Sequence, residues 1–326
     1  MYRFSNDEPI IVQAGISYQL RMHKCTAEIC SSSEAQGDIF IPKSIEHENQ
    51  KYTITFIGSD AFKNNRNIKT VSIAEDSIIR EIRDSAFKES SITKITIPSS
   101  VNALGYKCFD QCENLESVEF FPNSQLSSIG YRCFAETAIK TIKIPTKATV
   151  IEKETFSECK NLKTIEIPPD SELSAIFRYA FSDTQIESLT IPQKLNLLDD
   201  GWCDKTPKLN RLIMPHKSSY LMLKNDKLLI GKSDNDSDDF DLLHFACRDI
   251  NGDVTIPSTV KQIGYFCFED CMLINSIRFE PESQLEQIKV GAFYSSMINK
   301  IDLPSSVIEI ERECFFNCLN LSEISI

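Results

Sequence analysis

The sequence predicts a β-solenoid, in which short parallel strands from successive repeats stack into one sheet along the chain. Three observations support this prediction. An aromatic residue recurs at a regular interval, an aliphatic residue lies five positions before it, and an alternating apolar triplet follows it. Strands of three or four residues cannot bury a hydrophobic face by themselves, so they are stable only where neighbouring repeats cover one another.

The recurring aromatic residue defines the repeat. Its spacing alternates between 25 and 22 residues, so the unit is a doublet of 47 residues built from a long and a short repeat. Cys203 occupies the position once, and the gap that follows it is 65 residues. The aromatic residues are Phe62, Phe87, Phe109, Phe134, Phe156, Phe181, Phe268, Phe293 and Phe315.

The aliphatic position is filled without exception in all ten repeats. Such constancy is typical of a residue that packs against its equivalents in the neighbouring repeats, so we expect each one to be a core position. These residues are Ile57, Ile82, Leu104, Ile129, Ile151, Ile176, Leu198, Ile263, Ile288 and Ile310.

The triplets predict the strands. Alternation of branched apolar and polar residues with a period of two is typical of a β-strand. A proline follows most of them, and it removes a backbone donor and ends the strand. The triplets are residues 71–73, 95–97, 118–120, 142–144, 165–167, 189–191, 212–214, 254–256, 277–279, 301–303 and 324–326.

The 65-residue gap marks a segment that replaces a repeat, and we call residues 216–250 the island. Residues 220–230 predict a hairpin around Asn225 and Asp226. An acidic tract follows over residues 233–241. It fails as an EF-hand loop because Asp239 and Phe245 stand where glycine and glutamate are needed. We expect a solvated loop there, with weak divalent binding as the alternative.

The repeat resembles a known family, the BspA-like leucine-rich repeat of surface antigens from oral bacteria and from protists such as trichomonads. The resemblance covers roughly residues 39–326 and lies in the following residues of one repeat: Ile97-Pro98-Ser99-Ser100-Val101, Leu104-Gly105, Cys108-Phe109, Cys112, Leu115 and Val118. It implies a solenoid with one concave parallel sheet, and with turns or 3₁₀ segments on the convex side.

The resemblance also implies the domain organisation. Residues 1–56 form an N-terminal cap with a hairpin and the first strand, the hairpin being made by residues 15–18 and 26–29. Repeats occupy residues 57–215 and 251–326, on either side of the island. A cap is needed because the open end of a stacked core would otherwise be exposed to water.

The 12 cysteines are explained largely by repetition. One group precedes the aromatic residue, where other repeats have alanine, and a second follows it by three residues, where others have Ser, Thr or Asn. Such positions require small buried groups, some of them near turn backbone. We therefore expect buried free thiols, with disulfides between repeats as the alternative if the protein is exported.

Composition and motifs exclude several classes of function. The 326 residues contain 35 Lys and Arg against 47 Asp and Glu, and the net charge of −12 disfavours nucleic acid and anionic membranes as partners. No apolar run spans a membrane, and the N-terminus lacks the pattern of a secretory signal. No hydrolase elbow, phosphate loop or zinc motif is present, so we predict no enzymatic activity, no cofactor and no metal.

Candidate binding residues lie at the centres of the triplets, which should face outwards. Glu119, Lys143 and Glu166 are expected to stack as an alternating charge ladder, either as a neutralised solvated face or as a strip that contacts a ligand. Arg278 holds the same position further along. Ile213 is an apolar residue at this position, and we place the strongest candidate site where it, Trp202 and the island meet.

The predicted function is therefore non-catalytic protein binding. By resemblance, it is adhesion or host-protein interaction at a cell surface; the alternative is a cytoplasmic scaffold or regulatory module. An accessory domain of an enzyme is a more distant alternative. The last triplet ends at Ile326 with an open strand edge, which predicts self-association there.

Overall fold

Short strands make up almost all of the regular structure in the computed structural model, which describes residues 8–234 and 238–326. They belong to two compact units, one that extends to Asn161 and one over Leu162–Ile326. Within the described residues, the one helical segment is a 3₁₀ turn at Met22–Lys24. No helix in those residues has the length and apolar character needed to cross a bilayer.

Within the residues that the structure describes, the first unit contains fourteen strands of two to eight residues. They are β1 (Ile10–Gln13), β2 (Ile16–Arg21), β3 (Thr26–Ile29), β4 (Gly37–Ile41), β5 (Ser44–His47), β6 (Gln50–Ile57), β7 (Ile68–Ile73), β8 (Glu81–Ile82), β9 (Lys94–Ile97), β10 (Ala103–Leu104), β11 (Ser117–Phe120), β12 (Ser128–Ile129), β13 (Thr141–Lys143) and β14 (Val150–Ile151).

The second unit contains fifteen strands in the described residues. They are β15 (Thr164–Glu166), β16 (Ala175–Ile176), β17 (Ser188–Thr190), β18 (Leu197–Leu198), β19 (Arg211–Ile213), β20 (Leu221–Lys224), β21 (Leu228–Gly231), β22 (Leu242–Ala246), β23 (Asn251–Ile256), β24 (Gln262–Ile263), β25 (Leu273–Phe279), β26 (Gln287–Ile288), β27 (Lys300–Asp302), β28 (Glu309–Ile310) and β29 (Glu323–Ser325).

The predicted triplets form parallel strands in both units, and we call their sheet the triplet ladder. In the first unit its order is β4-β7-β9-β11, and equivalent residues pair, as Ile95 does with both Val71 and Val118. The outer residues of the triplets are buried, apart from the half-buried Phe120, Met214 and Phe279, and the central residue is partly or fully exposed; the terminal triplet is an exception. The predicted solenoid fold and the alternation within the triplets are thereby confirmed.

Each coil contains a second strand that the sequence pattern did not predict. In nine of the ten repeats it is two residues long and ends on the aliphatic position, so that Leu104 pairs with Ile82 on one side and with Ile129 on the other; in the first repeat the longer β6 ends on Ile57. These strands form a second parallel sheet, the aliphatic ladder. Because two residues cannot show a period, only the stacking of the coils reveals them.

The recurring aromatic residues stack face to face between the two ladders. In the first unit, Phe62, Phe87, Phe109, Phe134 and Phe156 follow one another with ring centroids 4.9, 5.3, 5.4 and 5.5 Å apart. All five side chains are at most 1% exposed. In the second unit, Phe293 stacks on Phe268 and Phe315 at 5.0 and 5.3 Å.

The turn around each aromatic residue has a fixed backbone conformation. The residues two before and two after it have positive φ in all ten repeats, for example Ser85 at 55° and Glu89 at 57° around Phe87. This conformation directs amides to the next coil: the N–H groups of Ser85, Phe87 and Glu89 donate to three of its carbonyls. The coils are therefore joined by three parallel rows of hydrogen bonds.

An antiparallel hairpin lies within the residues for which we expect an N-terminal cap. β2 and β3 pair antiparallel, and β3 pairs in parallel with β6, which leads into the aliphatic ladder at β8. Residues 1–7 of the predicted cap lie outside the described residues.

Candidate functional site

The island begins with the predicted hairpin. β20 and β21 pair antiparallel, and the turn between them contains Asn225 and Asp226, with φ of 53° and 58°. Two successive residues of positive φ are what a type I′ turn requires, and Asn and Asp tolerate that conformation well. β21 pairs with β22, and β22 continues the aliphatic ladder into β24. The island thus replaces one coil in the aliphatic ladder.

The triplet ladder is interrupted at the same point. β19 is the last strand of one sheet, and β23 is the first strand of the next. The hairpin tip contacts both sides: Lys227 Nζ lies 3.4 Å from the Asn210 carbonyl oxygen, and Lys224 Nζ lies 3.0 Å from Glu280 Oε1. Lys227 is also held by Asp249, at 2.6 Å. These contacts fix the hairpin beside the open edge of β19.

A groove of about 1170 Å³ lies between β19 and the hairpin. Met222, which is 38% exposed, and Ile213 present apolar surface to it. An exposed apolar patch with a polar rim is typical of an interaction site. The apolar lining consists of Leu212, Ile213, Met214, Pro215, Leu221, Met222, Leu223 and Phe240.

The rim of the groove has more cationic than anionic groups available. Arg211, His216 and Lys217 are exposed, and within residues 8–234 and 238–326 Arg211 and Lys217 form no ion pair. Asp249 is already paired with Lys227, which leaves Asp226 as the exposed acid. This local excess of positive charge contrasts with the net charge of −12 of the whole chain.

A buried ion pair behind the island replaces missing turn hydrogen bonds. The island lacks the aromatic turn, so the N–H of Lys205 donates to Glu269 Oε2 at 2.6 Å and not to a backbone carbonyl. Arg248 donates to the carbonyls of Cys267 and Phe266 at 3.0 and 3.3 Å. The Arg248 and Glu269 side chains are 1% and 3% exposed and lie 3.8 Å apart. Burial raises the pKa of Glu269 to about 7.

Trp202 lies in the core and does not line the groove where the sequence placed it. Its side chain is 2% exposed, and its ring packs between Phe181 and Phe245 at centroid distances of 6.1 and 5.6 Å. The indole therefore occupies the aromatic stack in place of Cys203, so a large and a small residue have exchanged positions in this repeat. Trp202 packs against Phe245 of the island, and its side chain is too buried to contact a ligand.

The other predicted site residues lie elsewhere. Ile213 lines the groove, whereas Arg278 lies on β25, where it pairs with Asp253 at 2.7 Å and borders a separate depression of about 520 Å³. Glu119 forms an ion pair with Lys94 of the neighbouring strand at 2.7 Å, a different partner from the expected Lys143. Lys143 and Glu166 are exposed on β13 and β15.

Sequence reasoning missed four residues of the groove: Arg211, Lys217, Met222 and Phe240. Arg211 directly precedes a triplet, and Met222 alternates with buried neighbours on β20, so both positions could have been identified as exposed. That they face one groove depends on the hairpin folding back along β19, for which the sequence has no signal.

All 12 cysteines are free thiols. Cys112 donates to the Phe87 carbonyl of the preceding coil at 2.9 Å, and Cys159 to that of Phe134 at 3.0 Å. Burial raises the pKa of Cys112 to about 12 and that of Cys159 to about 11. The thiols thus act as small hydrogen-bonding groups.

No metal-binding group of three or more His, Cys, Asp or Glu side chains occurs in the described residues. This finding includes the acidic tract except for residues 235–237, which lie outside the described residues.

Comparison with protein families gives one match that covers most of the chain. The family model is described as "BspA type Leucine rich repeat region (6 copies)", and it matches residues 36–163, 127–222 and 244–326. The only long stretch between matches, residues 223–243, lies inside the island. A search of curated proteins gives no match.

Several solved structures share the fold. A leucine-rich cell surface protein from Faecalibacterium prausnitzii has a TM-score of 0.73 at 22% identity, over 98% of this chain and 96% of that one. The pneumococcal vaccine antigen PcpA has a TM-score of 0.75 at 21% identity, over 98% and 78%. A leucine-rich-repeat protein from Bacteroides ovatus has a TM-score of 0.51 at 20% identity, over 96% and 94%. At these identities the similarity establishes the fold alone.

Proposed function

We infer from the fact that this chain belongs to the BspA-type leucine-rich-repeat family that its function is non-catalytic protein binding. We propose further that it acts in adhesion or in binding a host protein at a cell surface. The observation that carries this proposal is the groove beside β19, which combines an apolar lining with a cationic rim.

The groove suits a macromolecular partner. Its lining includes long apolar side chains on both walls, and the hairpin that forms one wall is held by ion pairs at Lys224 and Lys227. A rigid, partly apolar surface loses little conformational entropy when a partner binds. Two structural neighbours, one a cell surface protein and the other a vaccine antigen, support the proposed location.

Binding to immobilised fibronectin, laminin and collagen, and to intact epithelial cells, tests this function. Ile213→Asp places a charge on the apolar lining, and we expect it to weaken binding by about tenfold or more, as for loss of a central interface contact. Ser72→Asp is the matched control, because Ser72 is the exposed central residue of another triplet. Equal binding by both variants would remove the groove from the proposal, and no binding to any of these surfaces would contradict adhesion.

A second candidate function, an intracellular scaffold, is favoured by the free thiols. Cytosolic proteins keep their cysteines reduced, whereas exported proteins commonly oxidise them. Localisation of the untagged protein in its own cell separates the two candidates. Recovery from the cell surface by protease shaving supports adhesion, and full protection until the cells are lysed supports the scaffold.

A further inference from the structure

We propose that the groove binds an extended peptide segment of alternating apolar and acidic residues, which adds as a strand to the open edge of β19. This proposal rests on the protein-binding function above and specifies the chemistry of the partner. It follows from the backbone groups of β19, the apolar side chains beside them and the charge of the rim.

The backbone of β19 offers hydrogen-bonding groups that no neighbouring strand takes. On its paired edge, the Ile213 carbonyl accepts from the Ile191 N–H at 2.8 Å. Since successive residues of a strand direct their backbone groups to opposite edges, those of Leu212 and Met214 face the groove. The Leu212 N–H donates a hydrogen bond to the Cys247 sulfur. Within the described residues, the Leu212 carbonyl and the Met214 amide have no backbone partner in the groove.

Open strand edges of this kind pair readily with another extended segment. Inner strands of the triplet ladder have both edges covered: β7 pairs with β4 on one side and with β9 on the other. β19 lacks such a cover because β23, the next strand of the triplet ladder, belongs to a separate sheet. An added segment would therefore pair with an edge that β23 leaves open.

The side chains beside the edge select apolar residues. In a strand laid along β19, every second side chain lies on the outer face of the sheet, on the same side as Ile213. Met222 stands across the groove from that row, with 38% of its surface exposed, and Met214 and Leu223 are half-buried beside it. These flexible thioether and aliphatic groups adapt to several apolar side chains.

The rim selects acidic residues. Arg211 and Lys217 are exposed and form no ion pair with any described residue, so each can pair with a carboxylate of the partner. A basic partner would instead bind anywhere on a chain with a net charge of −12, with no preference for the groove. The unpaired cations thus give an acidic segment a preferred place on an otherwise acidic molecule.

The first experiment uses a fluorescein-labelled peptide of about nine residues that alternates valine and aspartate, measured by fluorescence anisotropy with the full chain. We expect saturable binding that weakens with salt, and about tenfold weaker binding of a peptide with the same composition in two blocks. Two further peptides carry N-methyl groups on alternate residues, one set on each edge. Strand addition predicts that one set binds about tenfold more weakly and that the other binds like the parent.

Two protein variants complete the test. Arg211→Glu should weaken binding of the parent peptide by about tenfold, whereas Arg312→Glu, the same charge change at another exposed arginine, should leave it unchanged. Equal binding of both N-methylated peptides would overturn strand addition, and equal binding by the two variants would overturn the acidic preference. If no peptide binds while matrix or cell binding is still lost in Ile213→Asp, this inference fails and the proposed function stands. If the native chain binds the parent peptide but binds neither the matrix proteins nor the cells, adhesion alone is contradicted.

Discussion

Arg248 and Glu269 show at the scale of single residues how the interrupted repeat is repaired. Glu269 accepts an N–H that a backbone carbonyl accepts in a regular coil, Arg248 adds a donor to each of two carbonyls, and both side chains are buried. We expect Arg248→Met to lower the free energy of unfolding by about 3–5 kcal/mol, because it removes the cationic partner of a buried carboxylate and one of the donors to each of two carbonyls. Urea unfolding measures the change.

The control for this variant is Arg312→Met, at an exposed arginine, for which we expect a change within about 0.5 kcal/mol. A loss below about 1 kcal/mol in Arg248→Met would show that the bonds of its guanidinium contribute little to stability.

His244 predicts a dependence of stability on pH. Burial lowers its pKa from 6.5 to about 4. Between these values the unfolded chain binds more protons, so this contribution to stability is present above pH 6.5 and decreases as the pH falls to about 4, by about 3 kcal/mol. Glu269 acts in the opposite direction, because its raised pKa makes the folded chain bind more protons between pH 4.5 and about 7.

The difference in unfolding free energy between the native chain and His244→Gln isolates the histidine, since Glu269 contributes to both. We expect the advantage of the native chain at pH 7 to diminish steadily towards pH 4. A difference that stays constant with pH would contradict the lowered pKa.

At the scale of the structural element, the turn around each aromatic residue depends on two left-handed residues. Most are not glycine, so the repeat tolerates strain of about 1–2 kcal/mol at each position. Ser85, with φ of 55°, has no side-chain hydrogen bond within the described residues and is suited to a test. We expect Ser85→Gly to raise the free energy of unfolding by less than about 1 kcal/mol and Ser85→Val to lower it by about 2 kcal/mol.

Calorimetry or urea unfolding of the two variants measures the difference. Ser72 provides the control, because it lies in a strand: Ser72→Val should be tolerated and Ser72→Gly should be destabilising by about 0.5–1 kcal/mol. The same order of effects at both positions would contradict the role assigned to the turn.

At the scale of the whole molecule, burial of the cysteines predicts their reactivity. Nine of the 12 are buried, two are half-buried and Cys25 is exposed. Burial raises the pKa of several of them, including Cys112 to about 12, so at about pH 8 they remain protonated and unreactive. Alkylation of the native protein should label Cys25 first and leave the nine unlabelled, whereas denaturation without reductant should expose all 12. Fewer than 12 labels after denaturation would indicate disulfides.

The sequence by itself determined the repeated part of the molecule. A core position such as Ile82 or Phe87 packs against its own equivalents in the neighbouring coils. The same type of residue is therefore required once in every repeat, and the position can be recognised in the sequence by its period. The triplets, the recurring aromatic positions and the role of the cysteines follow from that regularity, whereas the cap hairpin is expected from the family resemblance. The family resemblance depends on the same positions.

Only the tertiary structure decided what happens where the repeat ends. The groove, the open edge of β19, the burial of Trp202 and the bonds of Arg248 all depend on how a hairpin without periodicity packs against two regular coils. Contacts of that kind join residues that occur once and lie far apart in the chain, such as Lys205 and Glu269. No sequence pattern predicts these contacts, because the residues that form them are brought together by shape and hydrogen bonding only after the coils have stacked.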